Sequence, residues 1–392
     1  MLKNYLRIAL RSITRHKAYS IINISGLAIG MASSILILLW VRNELSYDRW
    51  HQHADRIYRI TTASDNSRWA VAPADMTTGF QAAMPAIKNS VRMTLPRTVL
   101  FSVGDRRFEE NRVFYADSTF LDVFSFPLVK GNALTALQRP DGVLITEDMA
   151  KKYFGTENPI GKLLRKNNNS DAVVTGVLAN IPSNSHLQFD FIMPLSAPEE
   201  RSDLTTSLWN NFIFYDYIRL DDHFHVNPAA IEGLEHQMDE IFKQHNKEVK
   251  IDIHLQPLTG IHLDSNLQID LEGHGNMQYV RIFFIVALFI LVVACINFMN
   301  LATARAARRA KEVGLRKVVG AVRWQLIGQF LGEALLLSFV SLLVALALVW
   351  LVLPSFNELA GKKLTVSLWD GNLLLTLLGI SIVTGLVSGS YP

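Results

Sequence analysis

The sequence predicts an α-helical membrane protein with four transmembrane helices and a large α+β extracytoplasmic domain inserted between helices one and two. Three observations lead there. Four apolar runs, residues 21–41, 282–303, 330–353 and 373–388, are uncharged or nearly so; three reach the roughly 20 residues that a spanning helix needs and the fourth nearly does. Between the first two runs lies a long polar interval with alternating β-prone and helical patterns. The basic residues crowd beside the runs. With 49% hydrophobic residues and a mean hydropathy of +0.19, the 392-residue chain is too apolar for an ordinary soluble protein.

Orientation follows from the positive-inside rule. Lys3, Arg7, Arg11, Arg15 and Lys17 precede the first run. The connector after the second run, residues 304–323 (ARAARRAKEVGLRKVVGAVR), holds seven Arg or Lys and a single acid, Glu312. Both stretches are expected in the cytoplasm, with the N-terminus there too, so residues 43–280 lie outside. That interval carries 22 basic and 31 acidic residues, which the formal net charge of +3 hides. The basic edges suit anionic lipid headgroups, and nothing in the charge calls for a nucleic acid. The first run has no A-x-A site after it and ends in Trp40, Val41 and Arg42, so it reads as a retained signal anchor. Cys295, the only cysteine, allows no disulfide within the chain, and the external domain must rest on its own core.

The expected order begins with a cytoplasmic amphipathic helix over residues 1–18, its Arg and Lys at i, i+4 spacing. Transmembrane helix one covers 19–42, the external domain 43–280 and a permease region 281–392, with helices at 282–303, 326–353 and 373–390 and a coupling connector at 304–325. Within the external domain, strands are predicted at 57–63, 90–103, 142–146, 172–178, 188–195, 212–220 and 249–258. Two helices are expected. One follows Thr146 as its cap and stops at Gly155; the other opens at Asn227 and Pro228, with Ile231, Leu234, Met238, Ile241 and Phe242 on one face. Residues 166–171 read as a surface hairpin or loop and 267–278 as the stalk or linker back to the membrane.

Several patterns imitate chemistry. Residues 155–162, GTENPIGK, look like a phosphate loop, but five residues separate the glycines where four are needed, and Leu163 replaces the hydroxyl residue that would hold magnesium. The pairs His51 with His53 and His223 with His225 could each present two rings on a strand, yet no further ligands accompany them, and surface histidines are the simpler reading. Glu109 with Glu110 and Asp221 with Asp222 read as solvated faces. No catalytic, cofactor or metal residue is therefore expected. In the apolar runs, Gly26 and Gly30, Gly328 and Gly332, and Gly385 and Gly389 form GxxxG pairs suited to helix packing. Asn297, Asn300 and Thr303, with Gln329 and Glu333, place polar groups near one membrane level.

The full length of the chain resembles the FtsX-like ABC transporter permeases with a MacB-type periplasmic core domain, in a style similar to those of Bacteroidetes. The resemblance rests on MLKNYLRIALRSITRHKAYSIINISGLAIGMA, YDRWHQHADRIYRI, KKYFGTENPIGK, QPLTGIHL and, most specifically, INFMNLATARAARRAKEVGLRKVVGAVRWQLIGQFLGEALLL. It implies a multi-pass subunit of the bacterial inner membrane with no cofactor of its own. A separate cytoplasmic ABC ATPase dimer would use ATP and press on Glu312, Val313, Gly314, Leu315, Arg316, Lys317, Val318, Val319, Gly320 and Ala321. The external domain would move in response, by mechanotransmission. The chain stops at Pro392 where family members continue, so it is expected to be the N-terminal half of a longer permease or a four-helix one that works as a homodimer. Export of a drug, peptide or lipoprotein is the leading function, with a periplasmic adaptor as partner. The alternative is a transmembrane regulator that activates a cell-wall hydrolase or signals envelope stress; an external enzyme lacks any catalytic constellation.

Overall fold

The computed structural model describes residues 17–64, 67–200, 209–264, 266–318, 323–366 and 371–390. The helix expected over 1–18 thus lies outside the described residues up to residue 16. The chain divides into two compact units, Met1–Leu45 with Gln278–Pro392, and Ser46–Met277.

Helix α1, Lys17–Leu45, precedes the second unit in sequence. That unit opens with β1 (Ile57–Ser64), β2 (Ser67–Trp69), β3 (Ala72–Pro73), α2 (Ala74–Ala83), β4 (Ile87–Thr94), β5 (Arg97–Val103) and β6 (Arg106–Ala116). Next come α3 (Phe120–Val123), β7 (Leu128–Gly131), β8 (Gly142–Thr146), α4 (Glu147–Phe154), β9 (Leu163–Lys166) and β10 (Ser170–Leu178). It closes with β11 (Phe191–Pro194), β12 (Phe212–Leu220), α5 (Pro228–His245) and β13 (Asp252–Pro257).

The strands form one sheet in the order β11-β8-β10-β9-β5-β6-β4-β12-β1-β13. An extra parallel pairing of β11 with β6 closes the first six of these into a ring. Closure leaves no open edge there. Alternate residues of all six ring strands, among them Phe101, Tyr115, Ile145, Leu164, Val174 and Phe191, meet in one core, as the two-residue period of a strand requires. The remaining arm, β4-β12-β1-β13, is antiparallel and buried on both faces. Ile60, Ile218 and Leu220 pack with Met76 and Phe80 of α2 and with Met238 and Phe242 of α5. Tyr215 and Tyr217 face the other way, into a cluster with Phe120, Phe124 and Phe189.

Ring and arm join where β4 meets β6 through the single register pair Met93↔Ala116. Side chains reinforce this short joint. Arg92 donates from its main chain and its Nε to Asp117 Oδ2, both at 2.9 Å, and from Nη2 to Oδ1 at 2.9 Å. Thr94 Oγ1 accepts from the Tyr115 amide at 3.1 Å.

The expected strands 142–146 and 212–220 appear with those bounds. The run 90–103 is two strands, because Leu95 and Pro96 break it into a turn between β4 and β5. Strand β6 escaped sequence reading: Arg106, Arg107, Glu109, Glu110 and Arg112 interrupt its apolar pattern. The hairpin over 166–171 joins β9 to β10, with Asn167 and Asn168 at φ 48° and 55°, the left-handed region that asparagine tolerates. Asn227 caps α5, accepting from the Ala230 amide at 2.9 Å. Thr146 does not cap α4 with its side chain. The acceptor is Asn180 Oδ1, which receives the Asp148 amide at 3.0 Å.

Beyond the second unit come α6 (Met277–Val318), α7 (Arg323–Ala360) and α8 (Gly371–Ser390). Among the described residues three helical segments are long and apolar enough to cross a membrane, Lys17–Leu45, Met277–Ala304 and Ile327–Ala360; Leu374–Gly389 is apolar but shorter. Instead of a spanning helix followed by a separate short connector helix, α6 runs unbroken to Val318. The segment ARAARRAKEV is made almost wholly of strong helix formers, so nothing in it ends the helix.

Asn180→Ala should lower the stability of the external domain by about 1 kcal/mol, the usual value of a lost N-terminal cap. Thr146→Val should change it far less, because the Thr146 hydroxyl has no hydrogen-bond partner to lose. Chemical denaturation of the purified chain, followed by tryptophan fluorescence, compares the two.

Candidate functional site at the helix roots and the basic connector

Two short segments adjoin the spanning helices in sequence, residues 46–51 after α1 and residues 270–276 before α6. Within the external unit both are anchored to the same turn of 3₁₀ helix, Leu258–Leu263. The Tyr47 ring stacks on His262, with centroids 3.3 Å apart and planes 4° from parallel. The carbonyl of His262 accepts from the Gly275 amide at 2.8 Å. His274 Nδ1 sits 3.1 Å from the carbonyl of Ile261. One turn therefore holds both roots.

Buried polar groups fix each root further. Asp48, at φ 57°, is wholly buried. It accepts from Ser185 Oγ at 2.9 Å and from the His186 amide at 3.2 Å, and its Oδ2 lies 2.9 Å from His186 Nδ1. Burial pushes the Asp48 carboxyl up, but the His186 ring and the Ser185 hydroxyl outweigh this and hold it below its ordinary value. His186 Nε2 in turn meets Tyr217 Oη at 2.9 Å. His51 is buried against Trp50 and Phe126, and burial lowers its pKa to about 4. The neutral ring accepts the Ser125 amide at Nδ1, 3.1 Å away. His51 is thus a core residue and not a surface one, whereas His223 and His225 are exposed as the sequence suggested.

The second root hangs on Arg59, whose side chain has no exposed surface. Arg59 donates to both oxygens of Asp270, at 2.5 and 2.8 Å, and from Nε and Nη2 to Gln256 Oε1 at 3.0 and 2.7 Å. Gln256 passes the network on to Asp264 at 3.0 Å. His274 Nε2 completes it, 3.1 Å from Asp270 Oδ2. Burial raises the Asp270 carboxyl, yet hydrogen bonds and charge from His274 and Arg59 bring it well below the usual carboxylate range. The hydrogen bond that His274 donates to Asp270 raises its pKa above the ordinary value, against the effect of burial. Arg59 faces Tyr217 across β1 and β12, so the two root networks meet on neighbouring strands.

Sequence reasoning missed Arg59, Asp270, Gln256 and His186. Arg59 and Asp48 lie inside YDRWHQHADRIYRI, and Gln256 and His262 inside QPLTGIHL. Arg59, the one charged residue of β1 (IYRITTAS), was the one local sign.

The imitations resolve into structure. Residues 155–162 leave the C-terminus of α4 and enter β9, the reverse of the strand-to-helix order of a phosphate loop. Gly155 and Gly161 take φ of 63° and 80°, and Lys162 pairs with Glu157. Glu110 is buried, contrary to the solvated-face reading, and accepts from Lys152 Nζ at 2.7 Å and Tyr153 Oη at 2.6 Å. Asp222 is exposed and pairs with Lys88 at 2.5 Å and Arg219 at 3.2 Å. Among the described residues no group of three His, Cys, Asp or Glu side chains is placed to hold a metal.

In the membrane unit Ser34 Oγ of α1 donates to the carbonyl of Ala287 in α6 at 2.9 Å, and Ser338 Oγ of α7 to that of Ser381 in α8 at 2.8 Å. A Cβ at Gly26 would lie 3.2 Å from Asn297 Nδ2, and one at Gly30 only 2.5 Å from Ala294 Cβ. Those at Gly385 and Gly389 would stand 2.8 Å from Leu335 Cδ2 and 2.7 Å from Ala334 Cβ. Gly328 and Gly332 face open space. Glu44 pairs with Lys362 at 2.5 Å, tying the end of α1 to the turn after α7. Of the coupling residues, Glu312, Val313, Gly314, Leu315, Arg316, Lys317 and Val318 lie on α6; Val319, Gly320 and Ala321 lie outside the described residues.

Residues 20–232 match the MacB-like periplasmic core domain, and residues 284–392 match the FtsX-like permease C-terminal domain. The chain belongs to the MacB/FtsX family of ABC transporter permeases. Members of this family are inner-membrane permeases with a periplasmic domain. The macrolide export ATP-binding/permease protein MacB of Wolinella succinogenes is 23% identical over 99% of this chain and 58% of its own length. That of Bdellovibrio bacteriovorus is 26% identical over 64% of this chain and 36% of its own. The chain thus spans about a third to three fifths of these relatives. The ABC transporter permease YknZ of Bacillus subtilis is 22% identical over 97% of this chain and 94% of its own length. Among solved structures, a permease domain from Porphyromonas gingivalis covers 60% of the chain at 22% identity and a TM-score of 0.45. The periplasmic region of MacB from Actinobacillus actinomycetemcomitans covers 53% at 18% identity and a TM-score of 0.40.

Two predictions follow from this geometry. Gly385→Ala should lower the melting temperature of the detergent-solubilised chain, at a cost of about 1–3 kcal/mol for overpacking; Gly332→Ala should leave it unchanged or raise it, because alanine is the better helix former where there is room. For His274, the raised folded-state pKa means that its stabilisation is complete below about pH 6.5 and declines as pH rises through the folded value. The melting difference between the native chain and His274→Gln should accordingly be larger at about pH 5.5 than at about pH 8.5.

Proposed function

We propose that this chain is the membrane subunit through which a separate cytoplasmic ABC ATPase dimer moves the MacB-like periplasmic domain. The ATPase presses on Glu312 to Ala321, and the work is export or extrusion of an envelope substrate such as a drug, peptide or lipoprotein. The N-terminus and connector face the cytoplasm, and α8 serves as the fourth spanning helix. A second permease half or a second copy completes the assembly, with a periplasmic adaptor as a further partner.

The observation that carries this reading is the shared anchoring turn, where Tyr47 and Gly275 are both held by His262. Roots tied to one rigid turn cannot separate without straining the domain that contains it. Motion of α1 against α6 would therefore become a change in the domain and not a slack loop. At the other end, an uninterrupted α6 gives the connector a stiff connection to the span, as a lever requires. The names of the MacB relatives, which carry ATP-binding and permease functions together, support pairing this chain with an ATPase supplied separately.

Leu315→Glu or Val318→Glu should abolish co-purification with the cognate ATPase and stimulation of ATP hydrolysis, with the external domain still folded. Tyr47→Ala should do the opposite: ATPase binding stays, while substrate accumulation in cells rises toward that of a deletion strain. If the connector variants bind and stimulate normally, the coupling reading is wrong. Coupling without altered accumulation of any substrate class would move the function to envelope regulation.

A further inference from the structure

Strand β13 comes last in the sheet and, among the described residues, pairs with no strand but β1. An antiparallel ladder turns every second amide away from its partner. The outward amides of β13 are those of Ile253 and Leu255, and both are occupied. Ile253 N–H donates to Asp239 Oδ1 at 2.9 Å, and Leu255 N–H to Glu235 Oε1 at 2.7 Å.

The spacing explains how a helix manages this. Two residues of a strand advance about 6.8 Å, and four residues of a helix about 6 Å. A helix laid along the edge with acceptors at i and i+4 offers one carboxylate to each outward amide. Leu234, Met238 and Phe242 seat α5 on the sheet and already supply its packing. Glu235 and Asp239 stand at the margin of that face, half-buried, while Glu232, His236 and Glu240 point to solvent. Burial raises the Asp239 carboxyl against the opposing hydrogen bond from Ile253, as expected for an acid pressed onto a sheet edge.

The geometry points to Glu235 and Asp239 as guards that stop the free edge of one copy of this domain from pairing with the same edge of another. A bare β13 would be self-complementary. Two copies meeting about a two-fold axis present the same segment antiparallel to itself, and every outward amide then finds a carbonyl. A side chain that accepts the amide bond removes that reward. This inference rests on the sheet edge alone and stands whether or not the chain transports anything.

The test uses the full chain in detergent with Cys295→Ser, and with His254→Cys on β13 as a reporter, since the His254 side chain is 45% exposed. Under oxidation the parent should remain free of covalent dimer. Glu235→Ala with Asp239→Ala should form a disulfide-linked dimer through the introduced thiol, and exchange of the Ile253 and Leu255 amides in the monomer fraction should quicken about tenfold. Glu235→Gln with Asp239→Asn keeps an acceptor at each amide and should behave as the parent. Leucine at both positions keeps the helix propensity and should match the alanine pair, so a folding defect peculiar to one variant cannot pass for the effect. Absence of the dimer in both the alanine and the leucine pairs, or an equal dimer in the Gln/Asn pair, overturns the inference.

Discussion

A fully buried guanidinium at the centre of the external domain constrains everything around it. Arg59 cannot shed its proton, and an unpaired cation inside a sheet would cost several kcal/mol. Its partners are therefore obligatory. Gln256 comes from the neighbouring strand, but Asp270 lies 211 residues away along the chain and can reach Arg59 only if the stretch before α6 folds back onto β1. One electrostatic requirement thus decides where the chain must leave the domain. His274 and the turn at His262 then stand within reach, and the root after α1 finds Tyr47 a ring to stack on.

Much of the architecture was legible because it is written in local periodicity. Spanning helices declare themselves by length and apolar content, and α5 by its cap and its stripe. The helix at 147–154 was visible, but its cap was not: Thr146 precedes it in sequence, and Asn180 arrives from a loop more than thirty positions away. Long-range partners leave no local mark. The same reason hid Arg59 with Asp270 and Asp48 with His186. It also made Glu110 look like a surface acid, since its burial depends on Tyr153 and Lys152 across the ring. The glycine pairs show the limit from the other side. Three GxxxG patterns look alike in sequence, and only the neighbouring helix decides that Gly30 and Gly385 are crowded while Gly328 and Gly332 are open.

The membrane unit uses the means available when solvent offers no hydrophobic drive between helices. Small residues bring backbones close, and serine hydroxyls donate to carbonyls on adjacent helices. The Glu44–Lys362 pair binds one end of the bundle, where a salt bridge is shielded from water. No comparable crossing bond is needed within α6, whose composition alone sustains it through the basic segment.

The joint between ring and arm has a mechanical meaning. A closed ring resists shear because every strand is held on both sides, whereas the passage from β6 to β4 rests on one register pair. There Arg92 grips Asp117 with its side chain, beside a main-chain bond from the Asp117 amide to the Arg92 carbonyl at 3.1 Å. Side-chain bonds of this kind can rotate and reform without unzipping a ladder. Ring and arm are nevertheless one body in their packing, since Val91, Met93 and Tyr217 of the arm share a core with Phe114, Leu144 and Ile192 of the ring, so the ion pair sets the register of a joint that buried side chains on both sides hold shut.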